Sequence, residues 1–548
     1  MGMTAVYETR GLDKSATAPL NDTGFSRQTP GSRPRAARSL MATTFTLRSS
    51  GIHLIDPRDD VGVATRALEP GETIADGVEV REVIPRGHKV ALRQIGAGQE
   101  VHKYGWPIGR ARCDIAAGSL VHTLNLATQL SGLTSYEYRP AVSGAPDRQD
   151  GTEGQHHAAA PQFMGYRRAN GRVGTRNEIW VLTTVGCVTR TAQRIARLGA
   201  ERFAGRLDGV HAFTHPFGCS QIGDDLSRTR RILASLIAHP NAGGVLVVGL
   251  GCESNQLDRL LAEAGPVDPA RIRSFCAQTA EDEEQAGLQA LEELVGVAQH
   301  DVREQCPLSA LSIGLKCGGS DGLSGITANP LVGSVADRIA AAGGTPILTE
   351  IPEVFGAEHM LLQRAIDRRV FDEVVGVVNR FKQYFLDHGQ PIYENPSPGN
   401  IAGGITTLEE KSLGAVQKSG RTQVTQVLDY GDRARVPGLA LLESPGNDAV
   451  SSTALVAAGA TLLLFTTGRG TPLGFPVPTL KIASNSALAE KKPRWIDFDA
   501  GRVLSGMSTA AAAKELLQLV IETASGKPAR NELNDEREVA IWKSGVTL

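Results

Sequence analysis

From residue 44 to about 128, apolar and polar residues alternate in short runs: TFTLRS, VGVAT, VEVREVI, KVALRQI and EVHKYG. Turn pairs such as Pro70-Gly71, Asp76-Gly77 and Ala97-Gly98 divide them. A period of two punctuated by glycine predicts short strands in a small all-β domain. The texture changes at Gly165. Continuous apolar runs at Ile179–Val185, Gly209–Phe213 and Val245–Leu250 read as buried strands, each entering a turn with glycine or cysteine. Helical spacing follows at Thr191–Phe203 and Asp225–Ala238. Strands at Ser309–Leu315 and Thr345–Thr349 continue the series, and Leu439–Leu442 and Thr461–Thr466 repeat it before an amphipathic helix at Thr509–Thr523. Alternating strand and helix predicts a mostly parallel sheet, with ligands gathered beyond its carboxyl ends.

These patterns divide the chain. Residues 1–43 are rich in Ser, Thr, Pro and Arg and read as a disordered extension, with Met41 as a candidate true start. A small β-domain spans 44–128 and a polar linker 129–161. An α/β domain covers 162–394, a second 395–526, and a polar tail 527–548. The fold class expected is therefore α/β, with parallel-sheet domains preceded by a small all-β domain.

Composition narrows the function. Lys+Arg 57 against Asp+Glu 59 gives a net charge of -2, which argues against nucleic acid or an anionic membrane as partner. No apolar run reaches the ~18 residues of a membrane helix. Seven cysteines without close pairing suggest a reducing compartment, hence a cytoplasmic protein. The stretch VLVVGLGCES has Ser254 where a dinucleotide fingerprint needs its third glycine.

The densest chemistry lies in LKCGGSDGLSGITANP, 315–330. It holds Cys317, Ser320, Asp321, Ser324, Thr327 and Asn329 among four glycines, a polar, tightly bending surface suited to a polyhydroxylated or anionic ligand. Cys187, Cys219, Cys252 and Cys317 each sit where a strand should end, so two or three could converge as thiolate ligands, or each could simply pack a tight turn. His88, beside Lys89, and His122 stand at glycine-marked corners of the β-domain, where a neutral imidazole can ligate a metal or move a proton. Arg167 and Arg176 in GYRRANGRVGTRN are carboxylate-clamp candidates. Glu350, Glu353, Glu358 and His359 follow a strand as candidate ligands or bases. Arg469, in TTGRGTPLG, suits ligand oxygens.

Taken together, RGHKVAL, KYGWPIG, GYRRANGRVGTRN, GLGCE, LKCGGSDGLSGITANPLVG, NPSPGNIAGG, SPGND and TTGRGTPLGFPVP resemble the altronate/galactarate dehydratase family over about residues 44–526. The resemblance implies that the β-domain is an SAF (β-clip) domain. It implies loss of water from a sugar acid, first D-altronate giving 2-dehydro-3-deoxy-D-gluconate, with galactarate dehydration and (2R)-sulfolactate sulfo-lyase activity as alternatives. A catalytically dead sugar-acid binder is the alternative of another class. The resemblance also implies Fe2+, with Mn2+ able to substitute; an iron–sulfur cluster is the less favoured form. On that reading His88, His122, Lys89 and Asp321 are catalytic candidates. Arg167, Arg176, Ser320, Thr327, Asn329 and Arg469 bind substrate. His88, His122, Cys187, Cys219, Cys252 and Cys317 form the pool of metal ligands. The oligomeric state stays open, with a homo-oligomer compatible.

Overall fold

A computed structural model describes residues 51–139 and 161–548. The expectations on residues 1–43 and on linker residues 140–160 lie outside the described residues. Seven short strands build the first domain: β1 (Ile52–His53), β2 (Val61–Ala64), β3 (Lys89–Ala91), β4 (Glu100–Lys103), β5 (Trp106–Ala111), β6 (Leu120–Val121) and β7 (Leu126–Ala127). They form two antiparallel sheets, β1-β2-β3-β6 and β4-β5-β7. The alternation seen in the sequence buries Ile52, Ala64, Leu68, Ile84 and Val90 in one small core.

A short antiparallel strip joins β8 (Gln162–Arg167) and β9 (Val173–Gly174) to a strand that arrives later. Next comes a parallel sheet of β10 (Glu178–Thr183), β11 (Gly209–Phe213), β12 (Ala242–Gly249) and β13 (Ile272–Cys276), in the order β11-β10-β12-β13. β14 (Glu304–Pro307) closes the strip on β8. The rest is one seven-stranded parallel sheet of β15 (Ser312–Cys317), β16 (Thr345–Leu348), β17 (Val424–Leu428), β18 (Leu439–Leu442), β19 (Leu462–Thr467), β20 (Thr479–Ala483) and β21 (Phe498–Asp499). Its order is β17-β18-β16-β15-β19-β20-β21, with β15 at the centre. These strands are largely apolar because helices cover both faces of such a sheet. The α/β class with a small leading β-domain is thus the observed fold. The division placed at 394/395 runs through this single sheet, because β15 and β16 come before it and β17 to β21 after it. No helix among the described residues is long and apolar enough to cross a membrane.

The small domain docks on the carboxyl edge of the large sheet. Gly322 lacks a side chain for a steric reason: a Cβ there would lie 1.9 Å from the Gly87 carbonyl oxygen. At Gly404, with φ of 100°, a Cβ would lie 2.3 Å from the same oxygen. Beside this contact, Lys89 and Lys103 of the β-domain both reach Glu410 in the helix Leu408–Val416, at 2.8 Å each. Thr128 Oγ1 (2.9 Å) and the Gln129 N–H (2.7 Å) bind Glu409 on the same helix.

Candidate active site

β15 ends in Lys316 and Cys317, and a charged residue in a fully buried central strand needs partners. Lys316 donates to Glu350, to Asp448 at 2.8 Å and to the Cys317 carbonyl at 2.8 Å. Glu350 follows β16 in a left-handed conformation (φ 70°, ψ 58°), uncommon for a residue with a side chain, and this turns its carboxylate back across the end of β15. Its Oε2 accepts from the Cys317 N–H at 3.1 Å and from Lys418 at 3.2 Å. Lys418 also stands 2.7 Å from Cys317 Sγ. Cys317 Sγ lies 3.3 Å from Glu353 Oε2, and Glu353 Oε1 is held by Lys411 at 2.9 Å. Asn395 and Asn400 aim the same Lys411, at 2.9 and 3.1 Å.

Burial and charge set the ionisation here. Burial, aided by the Glu350 and Glu353 carboxylates, pushes the Cys317 thiol up to about 12, so it stays protonated. Burial alone would raise Glu353, but Lys411, Lys316 and Lys418 outweigh it and hold the carboxyl down at about 2. Burial opposes the charged forms of Lys316 and Lys418, yet the surrounding carboxylates reverse this and raise both. Three ammonium groups therefore face Glu350, Glu353 and Asp448, a balanced set.

This cluster forms one wall of a cavity of about 750 Å3, lined among others by Cys317, Ser320, Glu353, Asn400, Lys411 and Asp448. That size lies within the roughly 300–1,000 Å3 of small-molecule sites. Arg469 stands at its rim: its side chain lies 3.6 Å from a Cβ placed on Gly399 or Gly319, and it is exposed, with no side-chain hydrogen bond or ion pair among the described residues.

The other residues singled out from the sequence fall in several places. Ser320 lines the cavity. Asp321 instead ties its own loop, accepting from Ser324 Oγ (2.8 Å), Ser484 Oγ (2.8 Å) and Asn485 Nδ2 (3.1 Å). Thr327 donates to the Ser484 carbonyl at 2.8 Å, and Asn329 bridges Gly414 and Thr466 at 2.9 and 2.6 Å. Lys89 is buried against Glu410; burial, only partly offset by that carboxylate, brings it to about 8. His88 lies opposite His122 across β3 and β6, with ring centroids 5.3 Å apart. His122 Nε2 is 3.1 Å from the carbonyl of Ile401, which lines the cavity, so the pair sits one residue behind the wall. Burial lowers both imidazoles, which favours their neutral forms. Arg167 pairs with Glu304 at the surface strip. Arg176 is buried against Glu532 at 2.7 Å and caps Thr523 and Lys527 carbonyls. The structure brings neither arginine to the cavity. Cys187, Cys219 and Cys252 are exposed on the carboxyl edge of the four-stranded sheet, apart from buried Cys317 on the other sheet. Sequence reasoning missed Lys316; its signal was a lone charge inside the apolar run ALSIGLKC.

A resident metal was tested against this wall. Ligand atoms of Cys317, Glu350 and Glu353 lie within 4.8 Å of one another, a set of one sulfur and two carboxylates. Each of those groups already faces an ammonium, however. A divalent cation 4 Å from one ammonium is repelled by about 8 kcal/mol at an effective dielectric of about 20. With the carboxylates already balanced, the trio does not fit a divalent metal as it stands.

Three domain models match the chain in order. They are the altronate/galactarate dehydratase SAF domain at residues 51–129, the D-galactarate dehydratase/altronate hydrolase second domain at 165–299, and the D-galactarate/altronate dehydratase C-terminal domain at 308–547. The chain is 50% identical to the altronate dehydratase of Escherichia coli (strain K12), over 89% of this chain and 98% of that protein. It is 48% identical to the altronate dehydratase of Bacillus subtilis (strain 168), over 90% and 99%. Identity to the galactarate dehydratase (L-threo-forming) of Escherichia coli (strain K12) is 34%, over 85% and 90%. With the SAF domain, both α/β parts and near full-length similarity in one unbroken order, the chain belongs to the altronate/galactarate dehydratase family of hydro-lyases.

Proposed function

We propose that the chain removes water from altronate to give 2-dehydro-3-deoxy-gluconate, and that the cavity beside Cys317 takes the sugar acid. The observation that carries the location is the placement of Glu353, Lys411 and Asp448 on one cavity wall, with unpaired Arg469 at the rim. The substrate class follows from the 48–50% identity to altronate dehydratases against 34% to the galactarate enzyme.

The chemistry needs a weakly acidic α-proton removed and a hydroxyl expelled. Arg469 binds the carboxylate through its forked donors. Asp448, whose side chain is 35% exposed and whose ion-pair partner is Lys316, takes the α-proton. Glu353 is held too acidic to be an effective base, and its work is to aim Lys411. Lys411 protonates the departing hydroxyl. The positive field of Lys316, Lys411 and Lys418 favours the enediolate that forms between the two proton transfers. Ser320 and Asn400 line the rest of the cavity, where hydroxyls lie.

The test is anaerobic turnover with added Fe2+ on altronate, galactarate and sulfolactate, reading 2-keto acid and sulfite. Altronate is expected to give the highest kcat/KM. Preference for either of the others would reassign the substrate, and no turnover of any would reject the reaction. Asp448→Asn is expected to lower kcat by a factor on the order of 100 or more.

A further inference from the structure

The charges around the cavity cancel in all but two places. Lys316, Lys411 and Lys418 face Glu350, Glu353 and Asp448, three against three. Two charged side chains stand outside that set. Arg469 is the cation at the rim. Glu394 is the anion. It lines the same cavity, is exposed, and its side chain has no hydrogen bond or ion pair among the described residues. The two do not pair with each other.

Glu394 is more than a solvated loop end, because the segment that carries it is fastened on both sides. Ile392 is 3% exposed, and Pro396 is buried. Asn395, the next residue, accepts from Lys411 at 2.9 Å through its Oδ1. Ser397 Oγ donates at 2.8 Å to Asn400 Oδ1, which also accepts from Lys411, at 3.1 Å. Glu394 is therefore held one residue from a contact to the ammonium that the proposed reaction uses.

A free carboxylate on a cavity wall selects between ligands. It accepts hydrogen bonds from hydroxyls and repels another carboxylate. Among the described lining residues the one cation is Lys411, and Glu353 already pairs with it. An anionic substrate thus finds one uncompensated cation, Arg469, and a second substrate carboxylate finds Glu394. Altronate carries one carboxylate and ends in a primary alcohol. Galactarate, a chain of the same length, carries a carboxylate at each end. With one end on Arg469, the first acid offers the wall a hydroxyl donor and the second offers it an anion. A wall that accepts from a hydroxyl discriminates against an analogue that cannot donate and adds repulsion to it.

We propose that Glu394 determines specificity: it accepts a hydrogen bond from the terminal hydroxyl of a monocarboxylate sugar acid and excludes the dicarboxylate of the same length. This rests on the proposed function for the cavity as the substrate site, and it names the feature of the substrate that the cavity reads.

The experiment compares altronate and galactarate on the full parent chain, Glu394→Gln and Glu394→Asp. The readouts are kcat/KM from anaerobic turnover with Fe2+ and Kd from calorimetry. Glu394→Gln, alike in shape but uncharged, is expected to raise the galactarate-to-altronate ratio of kcat/KM and of affinity on the order of 10-fold or more. The ratio does not depend on how much of each variant folds. Glu394→Asp keeps the charge and is expected to keep the parent's preference. Added salt should raise the parent's ratio and change that of Glu394→Gln less, because screening weakens a repulsion that only the charged wall exerts. A purely structural role would give both the same salt response. An unchanged ratio in Glu394→Gln, with altronate turnover by the parent, would overturn the inference and leave the proposed function standing. A parent that prefers galactarate, or binds neither acid, would overturn both.

Discussion

Glu410 offers a stringent test of how the two parts of the molecule are joined. Its side chain is 1% exposed and binds two buried lysines of the small domain, Lys89 and Lys103. Burial opposes its charge, but Lys103 and Lys89 together bring its carboxyl from 4.5 down to about 2. At 1.36 kcal/mol per decade, that amounts to about 3 kcal/mol favouring the ionised, docked form. Replacing it by glutamine leaves two buried ammoniums without a counter-charge, and breaking such a pair costs about 3–5 kcal/mol. Glu410→Gln should therefore loosen the docking of residues 51–129 more than the large sheet. Hydrogen exchange followed by mass spectrometry should show amides of β3 to β6 exchanging roughly 100-fold faster or more at pH 7. The sign of the pH dependence is specific. A lowered carboxyl gives stability present above pH 4.5 and lost as pH falls through about 2. Lys89, lowered from 10.5 to about 8, acts the other way: the folded chain carries a costly proton below pH 8, and the cost is relieved between pH 8 and 10.5. Without Glu410 that relief comes earlier, so the variant-to-parent exchange ratio should shrink as pH rises from 7 towards 10. Equal exchange at pH 7, or a ratio that does not shrink, would refute the account of the junction.

The remaining expectations concern the cavity and its supports. Arg469→Ala should raise KM for the sugar acid on the order of 10-fold or more with unfolding unchanged, because the lost guanidinium has no partner among the described residues. In metal-free folded protein at pH 8, iodoacetamide followed by peptide mass spectrometry should label Cys113, Cys187, Cys219 and Cys252, whereas buried Cys317, with its thiol near 12, stays unmodified until unfolding. Gly322→Ala should destabilise by roughly 1–3 kcal/mol or more in thermal unfolding, since the obstructing Gly87 oxygen belongs to backbone and cannot swing aside.

Much of the fold was readable because apolar period and turn chemistry are local. Strands at 209–213 and 439–442 match the sequence reading at both ends. What failed to show was order across the sheet: β15 lies between β16 and β19, strands far apart in the chain, so a linear reading cut one sheet in two at residue 394. The site was legible to the extent that one loop contained it. Cys317 and Ser320 line the cavity, while Asp321, Thr327 and Asn329 spend their polar groups holding the loop's shape, a distinction composition cannot make.

Loop 315–330 serves two contacts at once. Its first residues, Cys317 to Ser320, face the cavity; Gly322 receives the small domain; Asp321 between them fastens the loop to Ser484 and Asn485. Docking of the SAF domain and the shape of the cavity wall are therefore mechanically coupled through six consecutive residues, Cys317 to Gly322. The helix that holds Lys411 towards the cavity is the same one whose Glu409 and Glu410 grip the small domain. A small domain that contributes no side chain to the cavity lining can still decide whether Lys411 is aimed correctly. That makes the docked β-domain a requirement for turnover even if His88 and His122 never touch the substrate.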